Sequence, residues 1–248
     1  VPTDTNTATN EVNENVAIGT TVGITANAFD LDSTTNTITY SLTSNADGLF
    51  QIDPNTGVVT TATSINREVV GASRSITVQA QSTDGSVASQ TFNIAINDLD
   101  EFDVTVPTDS NAATNEVNEN VVIGTTVGIT ANAFDLDATT NTITYSLTSN
   151  PDGLFQIDPN TGVVNTAAAI NREVHGATRS ITVQAQSTDG SIASQTFNIA
   201  INDLDEFDVT VPTDTDAGVN NVNENVAIGT TVGITANAFD LDSTTNTI

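Results

Sequence analysis

Asp98, Asp100, Glu101 and Asp103 place four carboxylates within six residues, in the stretch INDLDEFD from Ile96 to Asp103. The same eight letters return at Ile201–Asp208. Two like charges about 5 Å apart repel by roughly 3 kcal/mol at an effective dielectric of about 20. Acids at this density suit one of two chemistries: paired carboxylates of the glycosidase kind, or a shell of oxygens around a hard cation. Three more polar clusters accompany the run: Asn13-Glu14-Asn15, Asp30-Leu31-Asp32 with Asn36 after it, and Ile65-Asn66-Arg67-Glu68.

Composition narrows the choice. The formal net charge is −27 over 248 residues, and the fixed cations are Arg67, Arg74, Arg172 and Arg179. Nucleic acids and anionic membranes need Lys/Arg clusters, so both are excluded as partners. No apolar run reaches the length of a membrane span, so membrane insertion is excluded, and no signal peptide is visible. The absence of Met leads us to expect an internal piece of a longer chain. Cys is absent, which removes disulfides. Lys is absent too, which removes Lys–Asn isopeptide bonds. A bound cation is the reinforcement that remains.

Calcium, with six to eight oxygen ligands, suits such a site. Magnesium prefers to keep its waters, and zinc finds no Cys and a single His. The run lacks the Gly and Glu spacing of an EF-hand loop, and no Gly-Gly-x-Gly-x-Asp repeat occurs. An enzyme is not expected. The lone His175 replaces Val70 of an otherwise near-identical segment, and no phosphate loop or nucleophile motif is present.

The elements that must position these acids repeat. VPTDTNTATNEVNENV opens at Val1, VPTDSNAATNEVNENV at Val106 and VPTDTDAGVNNVNENV at Val211, a period of 105 residues. The first two copies differ at eleven positions. The expected modules are residues 1–105 and 106–210, with 211–248 as the first part of a third. Apolar alternation over Val22–Ala28, Ile38–Leu42, Ile76–Ala80 and Phe92–Ile96 predicts strands. Asp47-Gly48, Asp53-Pro54-Asn55-Thr56-Gly57 and Asp84-Gly85 predict the turns between them. The fold class is all-β: tandem antiparallel seven-stranded Greek-key β-sandwiches of the immunoglobulin-like kind, joined end to end.

In such a sandwich, NEN and INRE share the pole where the chain leaves through INDLDEFD, and DLD lies at the other pole. Stacking brings Glu14, Glu68, Asp98, Asp100 and Glu101 of one unit to Asp135 and Asp137 of the next. The opening repulsion is then a site prepared for positive charge.

NEN, DLD, FQIDPNTG, INRE and the acidic linker fall in the order and spacing of cadherin repeats. The chain most resembles the cadherin-like tandem modules of large bacterial surface adhesins. The resemblance implies two to three Ca²⁺ per junction. Glu14 and Glu68 would bridge two ions, Asp98 and the Leu99 carbonyl would hold the middle one, and Glu101 would bridge the first two. Asp100, the Phe102 carbonyl, Asp135, Asp137 and the Asn141 carbonyl would hold the third. Glu119, Glu173, Asp203, Leu204, Asp205, Glu206, Phe207, Asp240, Asp242 and Asn246 would repeat the arrangement.

Three departures follow. Asn66 and Asn171 stand where the family has Asp, Glu101 replaces an Asp, and the family's late Asp falls at Ser82. The resemblance further implies a secreted, extracellular, cell-surface stalk whose partners are its own neighbouring repeats. The alternative is a glycan-binding or homophilic cell–cell adhesion module acting through the sandwich faces, with cell-surface glycans, or like chains side by side or in a fibre, as partners. An aromatic content of 4% without Trp argues against a glycan platform.

Overall fold

The computed structural model describes residues 1–242. The first copy forms eight strand segments: β1 (Thr3–Asp4), β2 (Glu11–Asn13), β3 (Thr21–Asn27), β4 (Ile38–Asn45), β5 (Phe50–Ile52), β6 (Val58–Thr61), β7 (Ser73–Ser82) and β8 (Val87–Asn97). They make two four-stranded sheets, ordered β1-β3-β6-β5 and β2-β8-β7-β4. The core lies between them. Val22, Ile24, Ile76, Val78, Ile94 and Ile96 are buried, as the alternation predicts, and Val59 joins them. Tyr40 is buried as well, and its hydroxyl accepts the Ala28 N–H at 2.9 Å. The second copy repeats the pattern as β9 (Thr108–Asp109), β10 (Glu116–Asn118), β11 (Thr126–Asn132), β12 (Ile143–Ser149), β13 (Phe155–Ile157), β14 (Val163–Thr166), β15 (Thr178–Ser187) and β16 (Ile192–Asn202). Beyond it, β17 (Thr213–Asp214) pairs with β18 (Ala236–Asn237).

Two local features differ from the sequence expectation. The first strand splits, so β1 pairs with β3 in one sheet while β2 crosses to the other and runs parallel to β8. The pairing is therefore not wholly antiparallel, and the segments number eight per copy. The crossing matters because Asn13 lies opposite Asn97, and the Glu14 N–H donates to the Asn97 carbonyl at 3.1 Å. Glu14 is thereby carried to the start of the acidic run. The INRE segment forms a one-turn helix, α1 (Arg67–Val70), capped by Asn66, whose Oδ1 accepts the Val69 N–H at 2.9 Å. Four residues are too few to show a helical period. The equivalent helix α2 (Arg172–His175) is capped by Asn171.

The turns obey their chemistry. Asp53 Oδ1 accepts from the backbone N–H groups of Asn55 and Thr56, which holds the Asp53 carboxyl below its usual range. At Gly57 φ is +72°, and a Cβ there would stand 2.2 Å from the Ala26 carbonyl oxygen, so only glycine fits.

By contact the chain divides into two compact units. The first comprises Val1–Asp103, Asp135–Thr142 and Ser187–Asp189. The second comprises Val104–Phe134, Ile143–Gln186 and the residues from Gly190 onward. No helix among the described residues is long and apolar enough to cross a membrane.

Candidate metal centre

Glu14 follows β2 and is fully buried. Its Oε2 accepts the Arg67 N–H at 2.6 Å and its Oε1 the Leu99 N–H at 3.0 Å. One carboxylate thus ties the helix start to the acidic run. In the first unit, one oxygen from each of Glu14, Glu68 and Glu101 lies within 4.8 Å of the other two. A second group, also in the first unit, joins Asp100, Asp137 and Asp189 on the same criterion.

Asp137 is almost wholly buried and accepts the Glu101 N–H at 3.1 Å and the Phe102 N–H at 3.3 Å. Asp135 accepts the Asp137 N–H at 3.1 Å and the Ser187 hydroxyl at 2.5 Å. Asn141 turns its amide onto the Asp137 carbonyl at 2.6 Å. Leu99 and Phe102, expected to serve through their carbonyls, donate their N–H groups to Glu14 and Asp137. Asp98 is drawn in by Arg67, whose Nη1 lies 3.1 Å from Asp98 Oδ1, and by the Thr139 N–H at 2.7 Å and the Thr139 hydroxyl. Glu68 accepts the Ala138 N–H at 3.2 Å.

The second unit brings together Glu119, Glu173 and Asp203, and Glu173, Glu206 and Asp242. Glu119 accepts the Arg172 N–H at 2.7 Å and the Leu204 N–H at 2.7 Å. Asp242 accepts the Glu206 and Phe207 N–H groups, and Asp240 accepts the Asp242 N–H at 3.1 Å. Asp205 hydrogen-bonds to Asp242, and this raises its pKa. Asn246 lies outside the described residues. Asn66 and Asn171 spend their Oδ1 atoms on helix caps.

Sequence reasoning left Asp189, Asn15 and Thr139 out of the site. Asp189 had the look of a hairpin aspartate before a Gly, as Asp84 does. Only the pairing of β15 with β16 shows that this hairpin delivers it to Asp100 and Asp137. Asn15 donates its amide to Glu101, and Asn120 does the same to Glu206. The NEN triplet itself was the available signal.

The residues fit a hard cation on two grounds. All the donors are oxygens. Glu68 Oε2 and both carboxylate oxygens of Glu173 are buried without a hydrogen-bond partner, a condition that calls for a counter-charge. The electrostatics agree. Partial loss of hydration, then repulsion from Glu14 and Glu68, raises Glu101 above the ordinary glutamate value of 4.5. Desolvation raises Glu68, with Glu14 adding to it, and desolvation plus Asp189 and Asp137 raises Asp100. Asp98 runs the other way: burial pushes it up, but hydrogen bonds from Thr139 and Arg67 outweigh burial and lower it.

A raised carboxylate stabilises the fold fully below its ordinary pKa, and that stability is lost as pH rises through the raised folded value. Without metal, the chain should therefore lose stability as pH climbs from 4.5, the ordinary glutamate value, through the range just above it. Saturating calcium should reverse the trend, because protons then compete with the ion. Urea midpoints in EDTA and in calcium across this range check the sign; a midpoint in EDTA that rises with pH would contradict it.

Comparison with known proteins identifies the family of the fold. The cadherin-domain family model matches residues 9–97 and 114–202. Human Protocadherin Fat 4 is 36% identical over 165 residues, covering 64% of this chain and 3% of that protein. Human Cadherin-23 is 30% identical over 242 residues, covering 94% of this chain and 7% of that protein. The chain thus spans a small fraction of the curated relatives it matches. Among solved structures, mouse Cadherin-23 EC22-24 superposes with a TM-score of 0.69 at 25% identity, covering 94% of this chain and 74% of that one. A protocadherin gammaB7 EC3-6 cis-dimer gives 0.75 at 24%, covering 97% and 56%. Cadherin domains are generally calcium-binding, and this chain belongs to the cadherin domain family.

Proposed function

We propose that this chain is a calcium-stiffened extender of an extracellular adhesion or stalk protein, with residues 1–105 and 106–210 as successive modules and 211–248 as part of a third. The observation that carries this reading is the group Glu14, Glu68 and Glu101 with its buried, unpartnered Glu68 oxygen. Glu14, Glu68, Asp98 and Glu101 would hold one ion, and Asp100, Asp135, Asp137 and Asp189 another. Each ion supplies two positive charges to acids that otherwise repel. We infer two ions per site, because the Asn66 amide is neutral and serves as a helix cap, leaving the outermost position short of a charge.

The finer context we propose is a secreted surface adhesin of the bacterial type. Its support is the near-identity of successive repeats, differing at eleven positions, together with the absence of Cys and Lys. The named relatives are animal proteins. An enzyme is not proposed: Glu14 and Asp137 are committed to backbone N–H groups, and the buried, unpartnered oxygens of Glu68 and Glu173 call for a cation.

Strands of up to 11 residues, at about 3.3 Å each, give each sandwich a reach of roughly 35–40 Å. Extracellular modules bind calcium at about 10⁻⁴ to 10⁻³ M, and tenfold excess over Kd stabilises by about 1.4 kcal/mol per ion. The test is small-angle scattering through a calcium titration, at dilutions where the chain is monomeric. A longer, stiffer particle at millimolar calcium is expected; a profile unchanged by calcium would sink the extender role.

A further inference from the structure

Arg67 and Arg172 place positive charge where it opposes a bound cation. The chain has four Lys/Arg against 31 Asp/Glu, and two of the four reach into the acidic groups. Arg67 Nη1 lies 3.1 Å from Asp98 Oδ1, and Arg172 Nη1 lies 3.4 Å from Asp203 Oδ1. These four side chains are only 7–18% exposed. The other two arginines pair on the surface, Arg74 with Asp47 and Arg179 with Asp152, both at 3.3 Å and with aspartates more than half exposed.

The backbone sets the buried pairs. The Arg67 N–H donates to Glu14 Oε2 at 2.6 Å, which fixes the start of helix α1 beside the acidic run, and Arg172 and Glu119 repeat the bond at 2.7 Å. Asp98 turns Oδ2 to the Thr139 N–H at 2.7 Å and Oδ1 to the guanidinium. The Nε atoms of Arg67 and Arg172 are buried with no hydrogen-bond partner. The side-on fork of Nε and Nη, which would clamp a carboxylate, is therefore not made, and charge carries more of the contact than directed bonding does. A divalent ion, with twice the charge, competes well against such a hold.

We propose that Arg67 is a resident counter-charge that competes with calcium for Asp98 and so sets the first unit's calcium affinity below what its acids alone would give; Arg172 does the same at Asp203. The inference rests on the calcium reading of the site. A guanidinium there opposes the ion twice, by engaging an oxygen of Asp98 and by repelling the ion's two charges. When calcium is scarce the same guanidinium offsets the repulsion among Glu14, Glu68, Asp98 and Glu101. The unit then stays folded, and calcium is taken up and released over an accessible range instead of being held permanently.

Amide shifts of the 248-residue chain through a calcium titration test this. Leu99 reports the first unit, because its N–H ends on Glu14, and Leu204 the second, because its N–H ends on Glu119. In ~0.15 M salt, Arg67→Gln should move the Leu99 midpoint to a roughly tenfold lower calcium concentration and leave Leu204 in place. The same variant should unfold at lower urea than wild type in EDTA. Tighter binding with a weaker metal-free fold is a pair of signs that a merely structural arginine would not give. Arg67→Lys keeps the charge and should stay close to the wild-type midpoint; Arg74→Gln makes the same charge change on the surface and should move neither amide. Arg172→Gln repeats the test at Leu204. An Arg67→Gln midpoint at or above that of wild type, or an Arg67→Lys midpoint shifted as far as that of Arg67→Gln, would overturn the proposal while Leu204 still titrates. A chain in which neither amide answers calcium would overturn the calcium reading and the proposal with it.

Discussion

Asp137→Asn should weaken calcium binding in the first unit by roughly 10- to 100-fold, the range seen when groups supporting a metal ligand are removed. Asp137 is 1% exposed. It does two jobs at once: it accepts the N–H groups of Glu101 and Phe102, and it presents an oxygen to Asp100 and Asp189. The amide removes a full charge and turns a donor toward groups that already donate. Asp32→Asn is the matched control, since Asp32 is the same motif residue in the first repeat and lies in a separate group with Asp30 and Asp84, apart from Glu14, Glu68, Glu101, Asp100, Asp137 and Asp189. It should leave the first unit's affinity for those ions unchanged. Calcium titrations of the two variants, followed by heat or by amide shifts of Glu101 and Phe102, separate them.

Glu14→Ala should destabilise the fold by about 2–5 kcal/mol even in EDTA. The backbone N–H groups of Arg67 and Leu99 both end on this one buried carboxylate. Leaving a buried donor unsatisfied costs about 1–3 kcal/mol, and the lost side chain leaves a cavity besides. Glu14→Gln, which retains one acceptor oxygen, should cost about half as much. Urea unfolding with an unchanged slope is the check. A Glu14→Ala variant as stable as wild type in EDTA would show that Glu14 is not the tie between helix α1 and the acidic run.

Much of this was legible in the letters because β-sandwich physics is local. Ile76, Val78 and Ala80 alternate since every second residue of a strand faces the core, and Tyr40 and Tyr145 read as core by the same rule. The acidic clusters could be placed together because connections of like parity share a pole. The parallel β2–β8 pairing was not legible: three residues, Glu11–Asn13, are too few to reveal which sheet they join. Helix α1 was invisible for a similar reason, its single turn being set by the Asn66 cap rather than by an apolar face. Asp189 was hidden by its Gly neighbour, which made a turn the sufficient explanation.

The central claim is that the acids around Glu14 and Asp137 are gathered to take up calcium. Isothermal titration of the metal-stripped chain with calcium tests it most directly. Saturable binding with midpoints near 10⁻⁴ to 10⁻³ M, two ions for the Glu14–Asp189 site, and loss of that component in Asp137→Asn is the predicted result. A featureless titration, or one that Asp137→Asn leaves intact, would contradict it.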